Sequence, residues 1–316
     1  MLHHGAVGGA GQGRLHAGQA ADARRGDDGA GHGSGPDRHR DQADCVGQRA
    51  GHQRRAVRGD RPAGEGRLRD LARPVGAGVT GGDAALTAIR AALLVHGAGG
   101  GGWEWNVWRG VFEAKGIAVA APDLQPVAAG LAATGFDDYL QQVRDALSVM
   151  PRPRVVVGAS LGGLLALHVA EAADAVVLVN PLPPAPWHSD LIVRTWPDIV
   201  PWHRQARLDG TRRALPDADE ATALFAFRHW RDESGAVLRH AYAGDEIARP
   251  ACPVLLVLSQ VDDDVPPSIP SAMAAAWSSD VLQTVSPSHV GPLLDRHATG
   301  IAAQAVEWLN HAVQVG

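Results

Sequence analysis

Residues 91–312 alternate between short apolar runs and segments with helical periodicity. Six runs are predicted as strands: AALLVH (91–96), IAVAAP (117–122), RVVVGA (154–159), AVVLVN (175–180), PVLLVLS (253–259) and VLQTVS (281–286). Helices are predicted over residues 106–116, 136–150, 161–172 and 298–312. Buried parallel strands read as continuous apolar runs separated by crossover helices, so the alternation predicts an α/β fold with a mostly parallel sheet and helices on both faces. The last run alternates apolar and polar residues, which predicts an exposed edge strand.

The segment from about residue 185 to 245 interrupts this alternation. It mixes prolines with four tryptophans and two phenylalanines, and its best helical pattern is DEATALFAFRHW (219–230). We interpret it as a small helical cap that is inserted over an active site. The alternative is an ordinary connecting subdomain whose aromatic side chains only pack.

Residues 1–83 have the composition of a disordered, low-complexity tail. Residues 1–80 contain no Phe, Trp or Tyr and are dominated by Gly, Ala, Arg, His and Asp. Such a segment cannot bury enough apolar surface to offset the entropy lost on ordering. An alternative origin is a start codon placed too far upstream in a GC-rich gene, since Lys115 is the only lysine in the chain. We expect the folded domain to occupy residues 84–316.

Charge and cysteine content narrow the expected partners. The net charge of −5 divides into about +4 over residues 1–80 and about −9 over the rest. The arginines of the tail are interleaved with acidic residues, so we expect no nucleic-acid partner, although an acidic surface stays an alternative. Cys45 and Cys252 imply neither a disulfide framework nor a metal-ligand pair. No run approaches the ~18 apolar residues of a membrane span, so we expect a cytoplasmic protein without a membrane partner. The oligomeric state is left open.

The stretch GASLG, residues 158–162, lies directly between a predicted buried strand and a predicted helix. At such a turn the hydroxyl of Ser160 projects above the sheet, and the close approach of neighbouring chains favours Gly158 and Gly162 at the flanking positions. The helix that begins at Leu161 points free N–H groups and its positive dipole end toward any oxyanion formed at the serine. The stretch therefore supplies a candidate nucleophile and half of an oxyanion hole.

With this turn, residues 88–314 resemble serine hydrolases of the α/β-hydrolase superfamily. The run VHGAGGGGWEW (95–105) is similar to the H-G-A-x-x-G-A-W of the methylesterase and hydroxynitrile lyase branch. The resemblance implies the chain order Ser, acid, His. SQVDDDVPP (259–267), similar to G-x-x-D-x-x-V-P, selects Asp262 as the acid, and SHVGP (288–292) selects His289 as the base, with His297 as the alternative.

The resemblance also implies that the second oxyanion donor is the N–H of Ala98, paired with the N–H of Leu161. The glycines of residues 97–102 are then expected to let the chain pass close over Ser160. The same run matches the G-x-G-x-x-G of dinucleotide-binding loops, with Asp123 in the place of a ribose-binding acid. That alternative leaves the other three motifs unexplained, so we expect no cofactor.

Three adjacent carboxylates at residues 262–264 offer a cation site as a further alternative. They lack the interleaved ligands and the glycine of a calcium loop, so we expect no metal. The expected function is hydrolysis of a small-molecule carboxylic ester through an acyl-enzyme. Thioester and C–C bond hydrolysis are neighbouring alternatives, and a non-catalytic ligand-binding homologue is an alternative of another class. Val290 stands where the lyases have Lys, which argues against cyanohydrin cleavage.

Overall fold

The computed structural model describes residues 89–315, and the tail predicted over residues 1–83 lies outside this range. The strands of the described residues are β1 (Ala91–Val95), β2 (Ala118–Ala120), β3 (Arg154–Ala159), β4 (Ala175–Val179), β5 (Ile199–Val200), β6 (Glu233–Ser234), β7 (Val254–Leu258) and β8 (Asp280–Gln283). Their α-helices are α1 (Asn106–Ala114), α2 (Phe136–Ser148), α3 (Leu161–His168), α4 (Leu208–Ala214), α5 (Glu220–His229), α6 (Gly235–Ala243), α7 (Ser268–Trp277), α8 (Gly291–Leu294) and α9 (Ala298–Val315). Short 3-10 helices lie at Gly102–Trp105, Leu131–Ala133, Ala170–Ala172 and Trp187–Asp190.

Six strands form one sheet in the order β2-β1-β3-β4-β7-β8, and every neighbouring pair is parallel. The predicted parallel α/β fold is therefore confirmed. β8 lies at one edge, as its alternating sequence indicates, and the side chain of Val281 is about half exposed there. β5 and β6 form a separate antiparallel pair.

The two faces of the sheet have separate hydrophobic cores. On β1, for example, Leu93 and Val95 belong to one core, and Ala92 and Leu94 belong to the other. The first core also contains side chains of α2, α3 and α7, and the second contains side chains of α1, α8 and α9. Successive side chains of a strand point to opposite faces, so strands that are apolar at every position require helices on both sides.

Two predicted strands are shorter than their apolar runs. β2 ends at Ala120, because the following carbonyl group of Ala121 packs against Gly102 and the Asp123 carboxylate accepts the Gly102 N–H at 2.7 Å. β8 ends at Gln283, and the chain then enters the loop of His289. The helix predicted over residues 161–172 is divided into α3 and a 3-10 turn.

The segment predicted as a helical cap, residues 185–245, connects β4 to the strand before α7. It contains α4, α5 and α6 together with the β5–β6 pair. The Asp219 side chain caps α5 by accepting the Thr222 N–H, and the Ser234 side chain caps α6 by accepting the Val237 N–H. Within residues 89–315, no helix is long and apolar enough to cross a membrane.

The indole of Trp108 connects α1 to α8, which gives a first testable prediction. Its side chain is fully buried in α1, and its Nε1–H donates to the Pro292 carbonyl at 2.9 Å. We expect Trp108→Ala to lower the free energy of unfolding by about 3–5 kcal/mol, because it leaves a large cavity. Trp108→Phe, which retains most of the ring, should cost less. Urea unfolding measures both, and an alanine variant as stable as the native chain would contradict this packing.

Candidate active site

Ser160 occupies a strained turn between β3 and α3. Its backbone has φ 52° and ψ −118°, a conformation that costs a non-glycine residue about 1–3 kcal/mol. The surrounding backbone holds it there. The Ser160 N–H donates to the Val179 carbonyl at 3.0 Å, and the Ser160 carbonyl accepts the Leu182 N–H at 3.0 Å. The turn therefore depends on the end of β4 as well as on its own strand.

The flanking glycines of this turn leave no room for side chains. A Cβ on Gly158 would overlap the carbonyl oxygen of Gly162, and a Cβ on Gly162 would overlap the carbonyl oxygen of Val95. These are the close approaches that the GASLG stretch predicts.

The glycine-rich run after β1 has more varied neighbours than the sequence predicts. A Cβ on Gly97 would lie 3.2 Å from the Ser160 Cβ, so this residue does pass close to the serine. The other glycines have different nearest neighbours: Trp202 at Gly99, the Glu104 carboxyl at Gly100, Asp123 and Trp103 at Gly101, and Ala121 at Gly102. The prediction that these glycines let the chain pass close over Ser160 therefore holds at Gly97 and is wrong for residues 99–102, whose nearest neighbours are other groups.

Asp262 and His289 form a direct pair. His289 Nδ1 lies 2.6 Å from Asp262 Oδ2, and this carboxylate is buried. The other oxygen, Asp262 Oδ1, accepts the backbone N–H groups of Asp264 at 2.8 Å and Val265 at 2.9 Å. Since the carboxylate accepts from Nδ1–H, the Nε2 atom of His289 is the ring nitrogen left for chemistry. His297, the alternative base, lies instead at the start of α9 with its Nε2 3.8 Å from Asp217.

Burial and charge act on His289 in opposite directions. Burial lowers the pKa of the imidazole, but the charge and hydrogen bond of Asp262 outweigh it, so the pKa lies above its ordinary value. The pair therefore stabilises an imidazolium at this position.

Ser160 and His289 face one cavity of about 690 Å³. No hydrogen bond joins the two side chains among residues 89–315, and a contact of this kind often tightens only when substrate binds. Much of the wall comes from the segment between β4 and β7. The larger apolar and aromatic side chains that this segment contributes are Leu182, Trp196, Trp202, Trp230, Leu238 and Tyr242.

The two N–H groups predicted as oxyanion donors border the same turn. Ala98 lines the cavity beside Ser160, and Leu161 is the first residue of α3. Within the described part of the chain, neither N–H has a hydrogen-bond acceptor. Both are available to an oxygen atom bound at Ser160.

His96 connects the glycine-rich loop to the chain that follows β2. Its Nε2 accepts the Leu124 N–H at 2.9 Å, so its Nδ1 carries the proton donated to the Gly97 carbonyl at 2.8 Å. Burial lowers the pKa of His96 to about 4, and the ring is therefore neutral at physiological pH. Its part is structural.

Asn180 and Ser259 connect the loop of His289 to two strand ends, a role that the sequence did not reveal. The Asn180 Nδ2 donates to the His289 carbonyl at 2.7 Å and to the Ser259 Oγ at 2.8 Å. The Ser259 Oγ in turn donates to the Ser288 carbonyl at 2.7 Å. The available signals were a polar residue ending an apolar strand and Ser259 in the place of the family's glycine.

Glu233 and Arg231, also missed by the sequence analysis, hold the glycine-rich loop to the segment 185–245. The Glu233 Oε2 accepts the Gly99 N–H at 2.9 Å, and its Oε1 accepts the hydroxyl of Tyr139 at 2.9 Å. Burial raises the pKa of Glu233. The Arg231 N–H donates to the Gly99 carbonyl at 2.7 Å.

Glu104 is a second buried carboxyl group near the site, and it lies inside the WEW string. Its side chain is 2% exposed, and its Oε2 has no hydrogen-bond partner among the described residues. Burial raises the pKa of Glu104 to about 8, although the N–H groups of Gly97 and Gly101 and the charge of His289 oppose the rise. The carboxyl is therefore mostly protonated at neutral pH.

The cation and dinucleotide alternatives find little support in the geometry. Ligand atoms of Asp262, Asp264 and His289 lie within 4.8 Å of one another. Both oxygens of Asp262 already accept N–H groups, however, and Asp264 pairs with Arg194 at 2.9 Å. Asp123, the candidate ribose ligand, accepts the Gly102 N–H.

The comparison with protein families agrees with the fold. The alpha/beta hydrolase family matches residues 92–304, which is more than half of the chain. The chain therefore belongs to the α/β-hydrolase family, and this membership supports hydrolase activity. No curated protein matches the sequence.

Several solved structures share the fold. A variant of tomato methylketone synthase I complexed with β-ketoheptanoate has a TM-score of 0.58 at 15% identity, covering 71% of this chain and 99% of that one. A pyrethroid hydrolase from Sphingobium faniae has a TM-score of 0.57 at 19% identity, covering 71% and 98%. A methylesterase from Arabidopsis has a TM-score of 0.54 at 14% identity, covering 70% and 100%. At these identities the likeness is one of fold.

The protonation of Glu104 gives a prediction about stability and pH. Its pKa rises from an ordinary 4.5 to about 8 on folding, so the folded chain binds this proton more tightly than the unfolded chain does. The associated stability is present below pH 4.5 and is lost as the pH rises toward 8. The side chain of Glu104→Gln cannot titrate. Between pH 5 and pH 9 we therefore expect the free energy of unfolding of this variant to rise, relative to that of the native chain, by on the order of 4 kcal/mol.

Urea unfolding at a series of pH values measures this difference. Glu113→Gln, which removes an exposed carboxyl from α1, is the matched control. Parallel stability curves for the native chain and Glu104→Gln would contradict a buried, protonated Glu104.

Proposed function

We propose that this protein is a serine hydrolase that cleaves carboxylic esters, with Ser160 as nucleophile, His289 as base and Asp262 as the group that orients the base. The observation that carries the proposal is the 2.6 Å contact between His289 and the buried Asp262, in a site where His289 shares a cavity with the strained Ser160. A binding module has no need of all three groups.

In the acylation step, His289 Nε2 accepts the proton of the Ser160 hydroxyl while Oγ attacks the ester carbonyl carbon. The proton then passes from His289 to the leaving alcohol, and the acyl group stays on Ser160. Asp262 stabilises the transient imidazolium, consistent with the raised pKa of His289. The two N–H groups of Asp262's own turn keep its carboxylate fixed during this step.

The carbonyl oxygen becomes negatively charged in the tetrahedral intermediate. The N–H groups of Ala98 and Leu161 are the proposed donors to it, and the N-terminal end of α3 adds its dipole. Loss of one such donor typically costs about 3 kcal/mol of transition-state stabilisation. The contacts of His96 and Glu233 with the glycine-rich loop keep Ala98 in place.

The cavity favours small or medium acyl or aryl esters. Its volume of about 690 Å³ is typical of sites for small molecules, and aromatic side chains form much of its wall. Methylesterase and pyrethroid hydrolase are among the proteins of similar fold. Thioester and C–C bond hydrolysis use the same nucleophile and are the alternatives within this chemistry.

Labelling with a fluorophosphonate probe tests the nucleophile. We expect the native chain to be labelled and Ser160→Ala to be unlabelled, because only an activated serine reacts with the probe. Ser148→Ala, at the exposed end of α2, is the matched control and should label like the native chain. An unlabelled native chain would favour the non-catalytic alternative, and equal labelling of Ser160→Ala would show that another residue reacts.

A panel of p-nitrophenyl esters with matched thioesters tests the bond that is cleaved. We expect kcat/KM to be highest for short and medium acyl chains and to fall when the chain exceeds the cavity. All turnover should disappear in Ser160→Ala apart from the residual rate given by binding and the oxyanion hole. Turnover of thioesters alone would replace the ester proposal with its thioester alternative.

A further inference from the structure

A second, much smaller cavity opens on the same pair of side chains. It has a volume of about 50 Å³, and Ser160 and His289 both line it. Ala98, Trp230 and Val290 also border both cavities, so the small one adjoins the proposed substrate site at the reacting groups. The carboxyl-bearing residue in its wall is Glu104.

The volume and the polar groups of this cavity suit a single water molecule. A water needs at least about 10–15 Å³ of space and two to four polar partners. Three residues with polar side chains line the cavity: Glu104, Ser160 and His289. Much of the remaining wall is apolar: Ala98, Ala159, Val290 and Leu293. The indole N–H of Trp230 already donates to the Thr211 hydroxyl, so it is not a further partner for the water.

Glu104 lies close to the N–H groups of Gly97 and Gly101 in the glycine-rich loop, and one of its oxygens still lacks a partner. Its side chain is almost fully buried, and its Oε2 has no hydrogen-bond partner among residues 89–315. An unpaired polar atom in such a place costs about 1–3 kcal/mol, so a partner is expected there. The other buried carboxyl of this region, Glu233, is paired at both oxygens.

We propose that Glu104 holds, in the small cavity beside Ser160 and His289, the water molecule that hydrolyses the acyl-enzyme. This inference rests on the proposed function. Glu104 is a positioning residue in this step, and His289 is the base.

The step balances as an ordinary hydrolysis. The water oxygen bonds to the acyl carbon while His289 Nε2 accepts one water proton. The bond between the acyl carbon and Ser160 Oγ then breaks, and Oγ takes the proton from His289. The products are the free carboxylic acid and the regenerated serine.

The protonation state of Glu104 agrees with a positioning role. Its pKa is raised to about 8 by burial, so at neutral pH the carboxyl is mostly neutral and is not the base. The charged groups that act on it are His289 and Arg231. A neutral carboxyl offers one O–H donor and acceptor oxygens, which is enough to orient a water toward His289.

Pre-steady-state kinetics with p-nitrophenyl esters separate the two steps. The initial burst of p-nitrophenol reports acylation, and the later steady rate reports deacylation. We expect Glu104→Leu to keep the burst rate while the deacylation rate falls by roughly 10- to 100-fold, since small misplacements of a reacting group cost this much. Glu104→Gln, which keeps the size and hydrogen bonds of the neutral acid, should retain most of the deacylation rate. Glu113→Leu on the surface of α1 is the matched control.

If the leucine variant does not fold, the same two rates can be measured in Glu104→Ala, because the smaller side chain introduces no clash. Native deacylation in either variant would overturn the inference, and so would an equal loss of both rates. A further readout is added methanol, which should capture more of the acyl group in Glu104→Leu than in the native chain. Failure of the proposed function would differ from all of these, because the native chain would then give no burst and no labelling of Ser160.

Discussion

The site depends on a close approach of three backbone segments with no side chain between them. The turn after β3 brings Gly158 against the carbonyl of Gly162, and Gly162 lies against the end of β1. In this space Ser160 takes a positive φ. Two hydrogen bonds maintain it: the Ser160 N–H donates to the end of β4, and the Leu182 N–H donates to the Ser160 carbonyl. The strain is tolerated because the central parallel strands on both sides are fully buried and cannot move apart cheaply.

Buried polar groups organise the loops around this turn. Asn180 and Ser259 hold the loop of His289, and His96 with Glu233 holds the loop of Ala98. Each interaction joins the end of a strand to a loop that carries one functional group. Because a buried polar atom without a partner is costly, these loops have few alternative conformations. Glu104 differs from the others because one of its oxygens has no hydrogen-bond partner among the described residues.

Local sequence patterns were sufficient to predict the parallel sheet and to locate each candidate site residue along the chain. The continuous apolar runs at β1, β3, β4 and β7 have one stable environment, the interior of a parallel sheet, and the structure confirms that class. The ends of β2 and β8 were predicted too late. The chain after β2 makes long-range contacts with Gly102, and the chain after β8 enters the loop that carries His289. The prediction for the glycine-rich run was incomplete, because Trp202 reaches Gly99 from a distant part of the chain and the side chains of Trp103 and Glu104 fold back onto Gly101 and Gly100.

The sequence by itself determined the fold class and the family resemblance, because strand periodicity and the spacing of the turn are local properties. The motifs of that resemblance led to Ser160, Asp262 and His289 as candidates. Tertiary structure alone decided which polar groups hold the two loops, and that Glu104 is buried at a small cavity that Ser160 and His289 also line. Those outcomes depend on desolvation and on contacts between residues far apart in the chain. The sequence alone does not indicate that the glutamate between two tryptophans is buried, because its burial results from the packing of the fold.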